Sequence, residues 1–381
     1  MSVTLQYDYI IAGAGCAGLS LAMHLIHSGK FRDKNILLVD QHPKQSNDRT
    51  WCFWQTGKSL FEPIVYKQWQ KLFFYGEAFS KQLNIEPYKY KMIRGIDFYD
   101  FCLEEINRQP NFTVRFDKVE HVFSSDITTG IMLNGNAIHA EYIFNSILFQ
   151  KPQLSENEYW LLQHFKGWLI ETENNVFEPE VATLMDFRID QQWGTAFCYV
   201  LPFTKNRALV EYTVFSPQVL PKEQYDVGLK NYLEQILQLG SYKILDEEFG
   251  VIPMTNFEFD AGQNNIINIG TAGGQTKGSS GYTFNFIQKH SNELVQQLMR
   301  GKHPSLKTGS RRFSFYDSVL LNILYKNTLP GKLIFTRLFQ KNQTSKVLRF
   351  LDNETSVADE LKIISTLPTW PFTKAALQQI F

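Results

Sequence analysis

The chain has no excess of charge of either sign and no long hydrophobic run. Its 381 residues include 38 Lys plus Arg and 38 Asp plus Glu, so the formal net charge is zero. A nucleic-acid partner would require a basic surface, and this balance argues against one. A membrane-spanning helix would need about 18 consecutive apolar residues, and no such run occurs. The N-terminal stretch MSVTLQYDYIIAGAG lacks a basic segment and a cleavage site, so no signal peptide is predicted.

Cysteine is scarce, and histidine shows no ligand spacing. The chain has 4 cysteines, and their scattered positions fit a reducing, cytoplasmic setting better than a disulfide framework. His24 and His27 lie three residues apart on one predicted helix, which favours packing or exposure over metal binding. We therefore expect no metal site. The cysteines are Cys16, Cys52, Cys102 and Cys198.

Glycine is concentrated where a nucleotide would bind. The apolar run YDYIIA predicts a strand, GAGCAG follows it, and a helical apolar pattern comes next. In this context Gly13 allows a tight turn, Gly15 lets a pyrophosphate approach the backbone, and Gly18 lets the helix pack on the strand. Asp40 ends the second predicted strand, where a carboxylate can bind ribose hydroxyls. The pattern predicts a site for FAD or NAD.

A second glycine-rich segment decides between the two cofactors. The stretch NIGTAGGQTKGSSGYTFNF follows a predicted strand and precedes a predicted helix. An NAD domain has no need of it, whereas a two-motif FAD domain returns here to hold the flavin. We expect Gly270, Thr271, Gly273 and Gly281 to bind the cofactor. Redox flavoenzymes usually carry Asp at the position of Thr271.

The order of predicted elements indicates an α/β fold of more than one part. We predict a Rossmann-like two-motif FAD-binding domain, an inserted α+β substrate domain and a C-terminal helical region. The FAD-binding domain is assigned to residues 1–60, 95–150 and 262–300, and the substrate domain to 61–94 and 151–261. The C-terminal helical region, 301–381, is a possible membrane-facing part.

One carboxylate interrupts an otherwise apolar strand, RALVEYTVFS. Because side chains alternate along a strand, Glu211 shares a face with Leu209, Thr213 and Phe215. An unpaired buried carboxylate is costly, so its presence needs a reason. The alternatives to a catalytic role are a solvated Glu on an open sheet face and a member of a buried ion pair.

Several motifs together resemble the lycopene β-cyclases of the bacterial type, which share ancestry with plant cyclases. The resemblance covers nearly the whole chain. The motifs are Gly13-x-Gly15-x-x-Gly18 with Asp40, Asp48-Arg49-Thr50-Trp51, Leu184-Met185-Asp186-Phe187-Arg188, Val210-Glu211-Tyr212-Thr213, Gly250-Val251-Ile252-Pro253-Met254, and Gly270-Thr271-Ala272-Gly273 followed by Ser280-Gly281-Tyr282.

The resemblance implies a catalytic role for Glu211. The family motif often reads Phe-Leu-Glu-Glu-Thr, and its Glu is the essential carboxylate. Here the motif reads Leu209-Val210-Glu211-Tyr212-Thr213, so one of the two acids is replaced by Tyr. The resemblance also implies an FAD that must be reduced, by NADPH or NADH, yet is not consumed. It further implies lycopene as a substrate drawn from a membrane, and hence a cytoplasmic protein with peripheral membrane contact.

Further site residues follow from the same motifs. Asp186 is a second candidate catalytic acid, with a structural ion pair to Arg188 as the alternative. Arg49 is expected to bind the cofactor or, alternatively, to cap the loop after the second strand. Trp51 and Tyr282 are the expected substrate contacts. The neighbouring aromatic residues Phe53 and Trp54 either line a tunnel for the polyene substrate, together with Trp51, or belong to the core.

The implied chemistry is a cyclisation without net electron transfer. An acid protonates the terminal alkene of lycopene, the next double bond attacks the cation, and loss of a proton leaves a β-ring. Two such closures convert lycopene to γ-carotene and then β-carotene. A carboxyl group in an apolar pocket keeps its proton near neutral pH because burial disfavours the anion.

Two other functions stay open. One is a redox flavoenzyme of the same fold, either an FAD monooxygenase or an isoprenoid reductase; Asn145 and Thr271 stand where such enzymes usually carry acids. The other is a non-catalytic flavoprotein that carries carotenoid or lipid. The stretch from Leu320 to Leu351 mixes apolar and basic residues, which suits either a membrane-surface helix or ordinary packing.

Overall fold

The computed structural model describes residues 6–125, 128–305 and 310–380, and three β-sheets form within these ranges. In chain order the strands are β1 (Tyr7–Ala12), β2 (Ile36–Asp40), β3 (Thr50–Gln55), β4 (Lys67–Trp69), β5 (Lys71–Gly76), β6 (Phe79–Asn84), β7 (Lys89–Arg94), β8 (Phe112–Phe116), β9 (Val119–Ser124), β10 (Thr129–Leu133), β11 (Asn136–Asn145), β12 (Trp160–Thr172), β13 (Val181–Asp186), β14 (Thr195–Pro202), β15 (Arg207–Ser216), β16 (Tyr242–Thr255) and β17 (Ile266–Asn268). The helices are α1 (Cys16–Ser28), α2 (Gly95–Asn107), α3 (Lys222–Asn231), α4 (Phe284–Met299), α5 (Arg311–Tyr325), α6 (Gly331–Lys341), α7 (Thr344–Leu351), α8 (Val357–Ser365) and α9 (Thr369–Ile380).

The first sheet contains the predicted βαβ unit. Its strand order is β8-β2-β1-β11-β10-β9, with β17 beside β11. Strands β8, β2, β1, β11 and β17 are parallel. Parallel strands are normally covered on both faces and therefore read as continuous apolar runs, as YDYIIA and ILLVD do. Helices α1, α2 and α4 pack on one face of this sheet and form one hydrophobic core with it, to which they contribute Leu19, Phe98 and Leu294.

The predicted Asn-Gly hairpin joins β10 to β11. Asn134 and Gly135 have φ angles of 50° and 74°, the left-handed conformation that a two-residue hairpin turn requires. The two strands pair in antiparallel register, with Leu133 opposite Asn136. Local sequence therefore determines this part of the sheet.

The second sheet presents two different faces. Its order is β16-β12-β15-β14-β13-β5-β6, and only β13 and β5 run parallel. One face carries Val210 and Tyr212, which share a core with Tyr225 and Leu229 of α3. The opposite face carries Leu209 and Phe215 and belongs to a different core. Strand β15 thus alternates as predicted, and Glu211 shares its face with Leu209.

A third, smaller sheet, of order β3-β7-β4, accompanies these two layers. Residues 61–94 supply β4 to β7, so that segment contributes to both the second and the third sheet. Residues 95–150 and 262–300 return to the first sheet and its helices.

The C-terminal helices complete the core of the second sheet. Phe335 stacks on Phe187 at 6.0 Å between ring centroids, and Phe339 lies 4.9 Å from Phe74. Most apolar residues of the stretch 320–351 are buried in this way, so ordinary packing accounts for its pattern. Among the described helices, none is long and apolar enough to cross a membrane.

Candidate active site

A cavity of about 330 Å³ lies where the glycine-rich loops of the first sheet meet the second sheet. This volume is within the range of small-molecule sites. Residues of the two glycine motifs line one part of it, and residues of β12, β14, β15 and β16 line another. Its lining includes Gly15, Lys44, Asp48, Arg49, Thr50, Trp51, Cys52, Tyr90, Gln163, Tyr199, Glu211, Gly270, Thr271, Ser280, Gly281 and Tyr282.

The first glycine motif leaves room for a ligand at one position and none at another. A Cβ atom at Gly15 would meet no atom within 4 Å, whereas one at Gly18 would lie 1.9 Å from the carbonyl oxygen of Gly13. Gly13 has a φ of 101°, which favours glycine. No side chain caps the N-terminus of α1, which leaves its backbone N–H groups for an anion. These are the conditions that a bound pyrophosphate requires.

Asp40 holds the loop that follows the first glycine motif. Its carboxylate accepts hydrogen bonds from the backbone N–H of Ala14 at 2.7 Å and of His42 at 3.2 Å. Lys44 contributes an ion pair at 3.1 Å. Asp40 lies at the end of β2 but not among the residues that line the cavity. A contact with ribose stays a prediction.

The second glycine motif packs directly against the first. A Cβ atom at Gly270 would lie 2.7 Å from the Cβ of Ala17, so the two motifs approach through a position without a side chain. Gly270 and Gly281 have φ angles of 62° and 70°. A Cβ at Gly273 would lie 2.2 Å from the carbonyl oxygen of Asn268, which makes this turn dependent on glycine. Thr271 lines the cavity.

Two buried polar atoms on the cavity wall have no partner among the described residues. They are the Oγ of Ser280 and the Oε1 of Gln163. Buried polar groups are nearly always hydrogen-bonded, so these two atoms are available to bond a polar ligand. Together with the open space at Gly15, they fit FAD.

Positive charge lines the part of the cavity near the first motif. Arg49 and Lys44 both border it. The side chain of Arg49 is more than half exposed, and its Nε lies 3.7 Å from the carboxylate of Asp48. Asp48 in turn accepts a hydrogen bond from Tyr99 at 2.9 Å. An exposed ion pair of this length is weak, so Arg49 can exchange it for an anionic ligand.

Glu211 lies in a row of four residues that crosses the second sheet. Tyr199 on β14 pairs with Glu211, which pairs with Gly167 on β12, which pairs with Glu248 on β16. The absence of a side chain at Gly167 opens the space between the two glutamates. A Cβ atom there would lie 2.9 Å from the Cγ of Glu248.

The two glutamates form a buried acidic pair. The hydroxyl of Thr213 donates to Oε1 of Glu211, and that of Thr50 donates to Oε2 of Glu248, each at 2.6 Å. The two carboxyl groups also lie close enough to interact, so that a proton on one can form a hydrogen bond to the other. Burial raises the pKa of Glu211, and the negative charge of Glu248 raises it further. Burial likewise raises the pKa of Glu248, which the bond from Thr50 opposes.

Neutral phenols surround this acidic pair. Tyr90, Tyr199 and Tyr282 line the cavity, and burial raises the pKa of all three phenols. The ring of Tyr282 lies 4.5 Å from that of Trp54. This part of the wall is therefore aromatic, and its phenols are un-ionised at neutral pH, which suits a hydrocarbon or a delocalised cation.

The predicted aromatic contacts fall into two groups. Trp51 and Tyr282 line the cavity. Phe53 stacks on Phe284 at 4.4 Å within the core, and Trp54 packs behind Tyr282. The structure thus brings Trp51 and Tyr282 to the same cavity as Glu211 and leaves the other two in the core.

Asp186 lies away from the cavity. Its carboxylate, fully buried, accepts hydrogen bonds from the guanidinium of Arg188 at 2.6 Å and from the hydroxyl of Tyr232 at 2.8 Å. It is not among the residues that line the cavity. This arrangement is the structural ion pair that the sequence left as the alternative, and it gives the catalytic prediction no support.

Sequence reasoning missed Glu248, Thr50 and Tyr199. Glu248 belongs to the acidic run LDEEF, which reads as a solvated strand edge. Gly167 is the signal that was available, because a glycine inside the apolar run FKGWLI indicates a close approach by another group. Nothing in the local pattern says that the approaching group is a carboxylate.

The model of one protein family, described as lycopene cyclase protein, matches residues 8–377. The chain belongs to the lycopene cyclase family. Among its relatives, a lycopene beta-cyclase of Pantoea ananas is 26% identical over 66% of this chain and 63% of its own length. A chloroplastic neoxanthin synthase of Solanum tuberosum is 27% identical over 78% of this chain and 61% of its own length.

A lycopene beta-cyclase of Paracoccus matches more of both chains. It is 21% identical over 97% of this chain and 96% of its own length. The chain therefore spans less than two thirds of the Pantoea and Solanum proteins but nearly all of the Paracoccus one.

Solved structures share the fold at low identity. A flavoprotein/dehydrogenase from Cytophaga hutchinsonii has a TM-score of 0.63 and 14% identity, over 98% of this chain and 99% of its own. A geranylgeranyl bacteriochlorophyll reductase-like protein from Thermoplasma acidophilum has a TM-score of 0.59 and 12% identity, over the same shares. Aklavinone-11 hydroxylase, solved in a complex with FAD and aklavinone, has a TM-score of 0.55 and 12% identity, over 78% of this chain and 62% of its own. The predicted fold class, a Rossmann-like flavoprotein fold with a helical C-terminal region, is confirmed.

The buried acidic pair predicts how stability depends on pH. Because burial raises the pKa of Glu211, the folded state retains a proton that the unfolded chain releases, so stability falls as pH rises from the ordinary Glu value through the raised one. The slope is at most about 1.4 kcal/mol per pH unit for one proton. Thermal unfolding at a series of pH values should show a shallower decline for Glu211→Gln than for the wild type.

Glu247→Gln is the matched control, because Glu247 pairs with Lys166 and its side chain is 51% exposed. Its decline should follow that of the wild type. Equal slopes in all three proteins would contradict a raised pKa at Glu211.

Proposed function

We propose that this chain is a lycopene β-cyclase that uses reduced FAD and converts lycopene through γ-carotene to β-carotene without net oxidation. The observation that carries the proposal is Glu211. Its carboxyl group borders the cavity, its pKa is raised by burial, and the glycine motifs of a nucleotide site border the same cavity. A redox enzyme of this fold has no need of a protonated acid at that position.

The residues of the two glycine motifs would hold FAD. Reduced FAD would supply a negatively charged ring that stabilises a carbocation. Backbone N–H groups at the start of α1 and the guanidinium of Arg49 would bind its phosphates, and Ser280 and Gln163 have polar atoms free to bond it. The other proposed cofactor residues are Gly13, Gly15, Gly18, Asp40, Gly270, Thr271, Gly273 and Gly281. NADPH or NADH is the proposed reductant.

The protonated carboxyl of Glu211 would start the reaction. Its proton forms a C–H bond at the terminal alkene of lycopene, and the resulting tertiary cation closes the ring. A C–H bond beside the ring cation then breaks, and that proton returns to a carboxylate. Trp51, Tyr199 and Tyr282 would exclude water, which would otherwise capture the cation, and their rings would stabilise it.

The reaction can be tested under anaerobic conditions with lycopene in liposomes. The wild type should form β-carotene only when its FAD is reduced, and without matching oxidation of the flavin. Glu211→Gln should lower the rate at least about 100-fold, because general-acid catalysis contributes about that much or more. FAD binding should be unchanged, and products are measured by chromatography.

Glu247→Gln, on the opposite face of the sheet, should cyclise at the wild-type rate. Steady consumption of NADPH with unchanged lycopene would instead support a redox flavoenzyme. A protein that binds lycopene without converting it, with or without Glu211, would be a carrier.

Two of the three glycines of the first motif, Gly15 and Gly18, give a test of FAD binding. Gly15→Ala should fold normally, because a Cβ there meets nothing, but should weaken FAD binding at least about tenfold, because the methyl group occupies space that the pyrophosphate needs. Gly18→Ala should lower the free energy of unfolding by about 1–3 kcal/mol through its clash with Gly13. Flavin fluorescence titration and urea unfolding separate the two effects. Normal FAD affinity in Gly15→Ala would contradict the assigned site.

Peripheral membrane contact is part of the proposal, since lycopene is a hydrocarbon. The apolar side chains exposed on α9 are better candidates for it than the buried ones of 320–351. Trp370 is 76%, Leu377 51% and Ile380 62% exposed. Replacing Trp370 and Leu377 by Glu should reduce cosedimentation with liposomes several-fold, because burial of their apolar area drives binding. Replacing exposed Val227 on α3 by Glu is the control, and an equal loss there would remove α9 from the proposal.

A further inference from the structure

Glu248 contacts the proposed acid without bordering the cavity itself. We propose that Glu248 shares a single proton with Glu211 over Gly167, and so keeps Glu211 in the acid form that cyclisation requires. The inference rests on the proposed function for its role in turnover, but the shared proton can be tested without turnover. Glu248 is then a positioning residue, since it acts through Glu211.

The sheet register makes this contact possible at one place. Neighbouring strands lie about 4.8 Å apart, so two residues separated by a whole strand are about 10 Å apart at Cα. A side chain on the middle strand would normally fill that gap. Gly167 has no side chain to occupy the gap, and the side chain of Glu248 extends into it. A Cβ at Gly167 would lie 2.9 Å from the Cγ and 3.1 Å from the Oε1 of Glu248, and 3.1 Å from Leu209. Gly167 therefore opens the space in which the carboxyls meet.

The hydrogen bonds of the pair require one proton. Each carboxyl accepts one threonine hydroxyl, from Thr213 or from Thr50. Thr50 donates to Oε2 of Glu248, and Oε1 of Glu248 has no donor among the described residues. Two buried carboxylates in contact would repel each other, whereas one proton between them supplies the missing hydrogen bond. A neutral carboxyl beside a carboxylate is thus the stable form.

The groups that surround the pair do not neutralise it. Among the described residues, no lysine or arginine forms an ion pair with Glu211 or Glu248, and Lys166, one position away on β12, is paired with Asp226 and Glu247 on the other face. Lys44 and Arg49 lie on the cavity wall nearer the first glycine motif. Asp246 on β16 is a negative group that raises the pKa of Glu248. The negative charge of Glu211 in turn raises the pKa values of four neighbouring groups, Cys52 on β3, Cys198 and Tyr199 on β14, and Tyr282.

The shared proton suits a reaction that takes a proton and gives one back. When the proton of Glu211 moves to the alkene, the pair is left with two negative charges in contact. That arrangement is unfavourable, so the pair becomes a strong base for the proton released after ring closure. One proton passes from the pair to the terminal alkene, and another passes from the carbon beside the ring cation back to the pair. The step therefore balances without a further reactant.

The test compares Glu248→Gln with the matched control Glu247→Gln in the full-length, FAD-loaded protein. The first readout is the infrared band of the protonated carboxyl, followed against pH. Its midpoint should lie at lower pH in Glu248→Gln by about one unit or more, because the neighbouring negative charge is gone. Glu247→Gln should match the wild type, and Glu211→Gln identifies the band.

The second readout is the pH profile of cyclisation. In Glu248→Gln, kcat should fall about tenfold at neutral pH, KM for lycopene should change less than about twofold, and the decline of the rate at high pH should begin at lower pH. Gly167→Ala should show the same shift if it folds, because its methyl group separates the carboxyls.

A band midpoint that does not move in Glu248→Gln would overturn the shared proton. If the midpoint moves in Glu248→Gln but the wild-type protein forms no β-carotene, the shared proton is supported and the proposed function is rejected. A loss of kcat at every pH with an unmoved profile would show a structural effect and overturn the proposal.

Discussion

A carboxyl group that keeps its proton inside a protein needs a dry, apolar setting and a partner for each of its oxygens, and the architecture of this chain meets both needs at Glu211. The second sheet presents Leu209 and Phe215 on the same face. The C-terminal helices belong to that same core, which limits access by water. The glycine motifs close the remaining side and leave a cavity bordered by phenols. The first sheet, the second sheet and the helices therefore meet around one ionisable group.

The parts of this arrangement that are local in sequence could be predicted, and those that depend on distant pairing could not. The spacing of Gly13, Gly15 and Gly18 after an apolar strand specifies the βαβ unit, because each glycine answers a steric need of its immediate neighbours. Glu211 was recognisable because a charge is out of place in its strand. Glu248 was not, since its burial follows from pairing with β12, some 80 positions earlier in the chain. The position of Asp186 was unpredictable for a similar reason, because sequence alternation cannot tell an acid that borders a cavity from one that is paired with Arg188. Its catalytic role stays a prediction without support from the structure.

The relation to redox flavoproteins is one of shared fold with altered polar groups. Asn145 donates a hydrogen bond to the side chain of Asn268 at 2.8 Å and so ties β11 to β17. Thr271, on the cavity wall, lies within 3.3 Å of Thr276 through its hydroxyl. Both positions, where redox relatives of the fold usually place acids, carry neutral side chains that bond within the protein. The buried carboxyl groups beside the cavity belong instead to the second sheet, at the glutamate pair.

The neutral phenols around that pair have a consequence for how turnover is supplied. An enzyme that consumes protons must conduct them from bulk water, through a chain of groups that exchange hydrogen. The proposed isomerisation returns one proton to the acid for each proton that it takes, so it needs no proton from bulk water. Tyr90, Tyr199 and Tyr282, whose raised pKa values keep them un-ionised, can then separate the acid from solvent without cutting off a supply of protons that the reaction needs. Water can be excluded from the cation for as long as a long polyene remains bound. Glu211 is protonated again after the first ring closure, and can therefore act on the second end of the molecule without a proton from solvent.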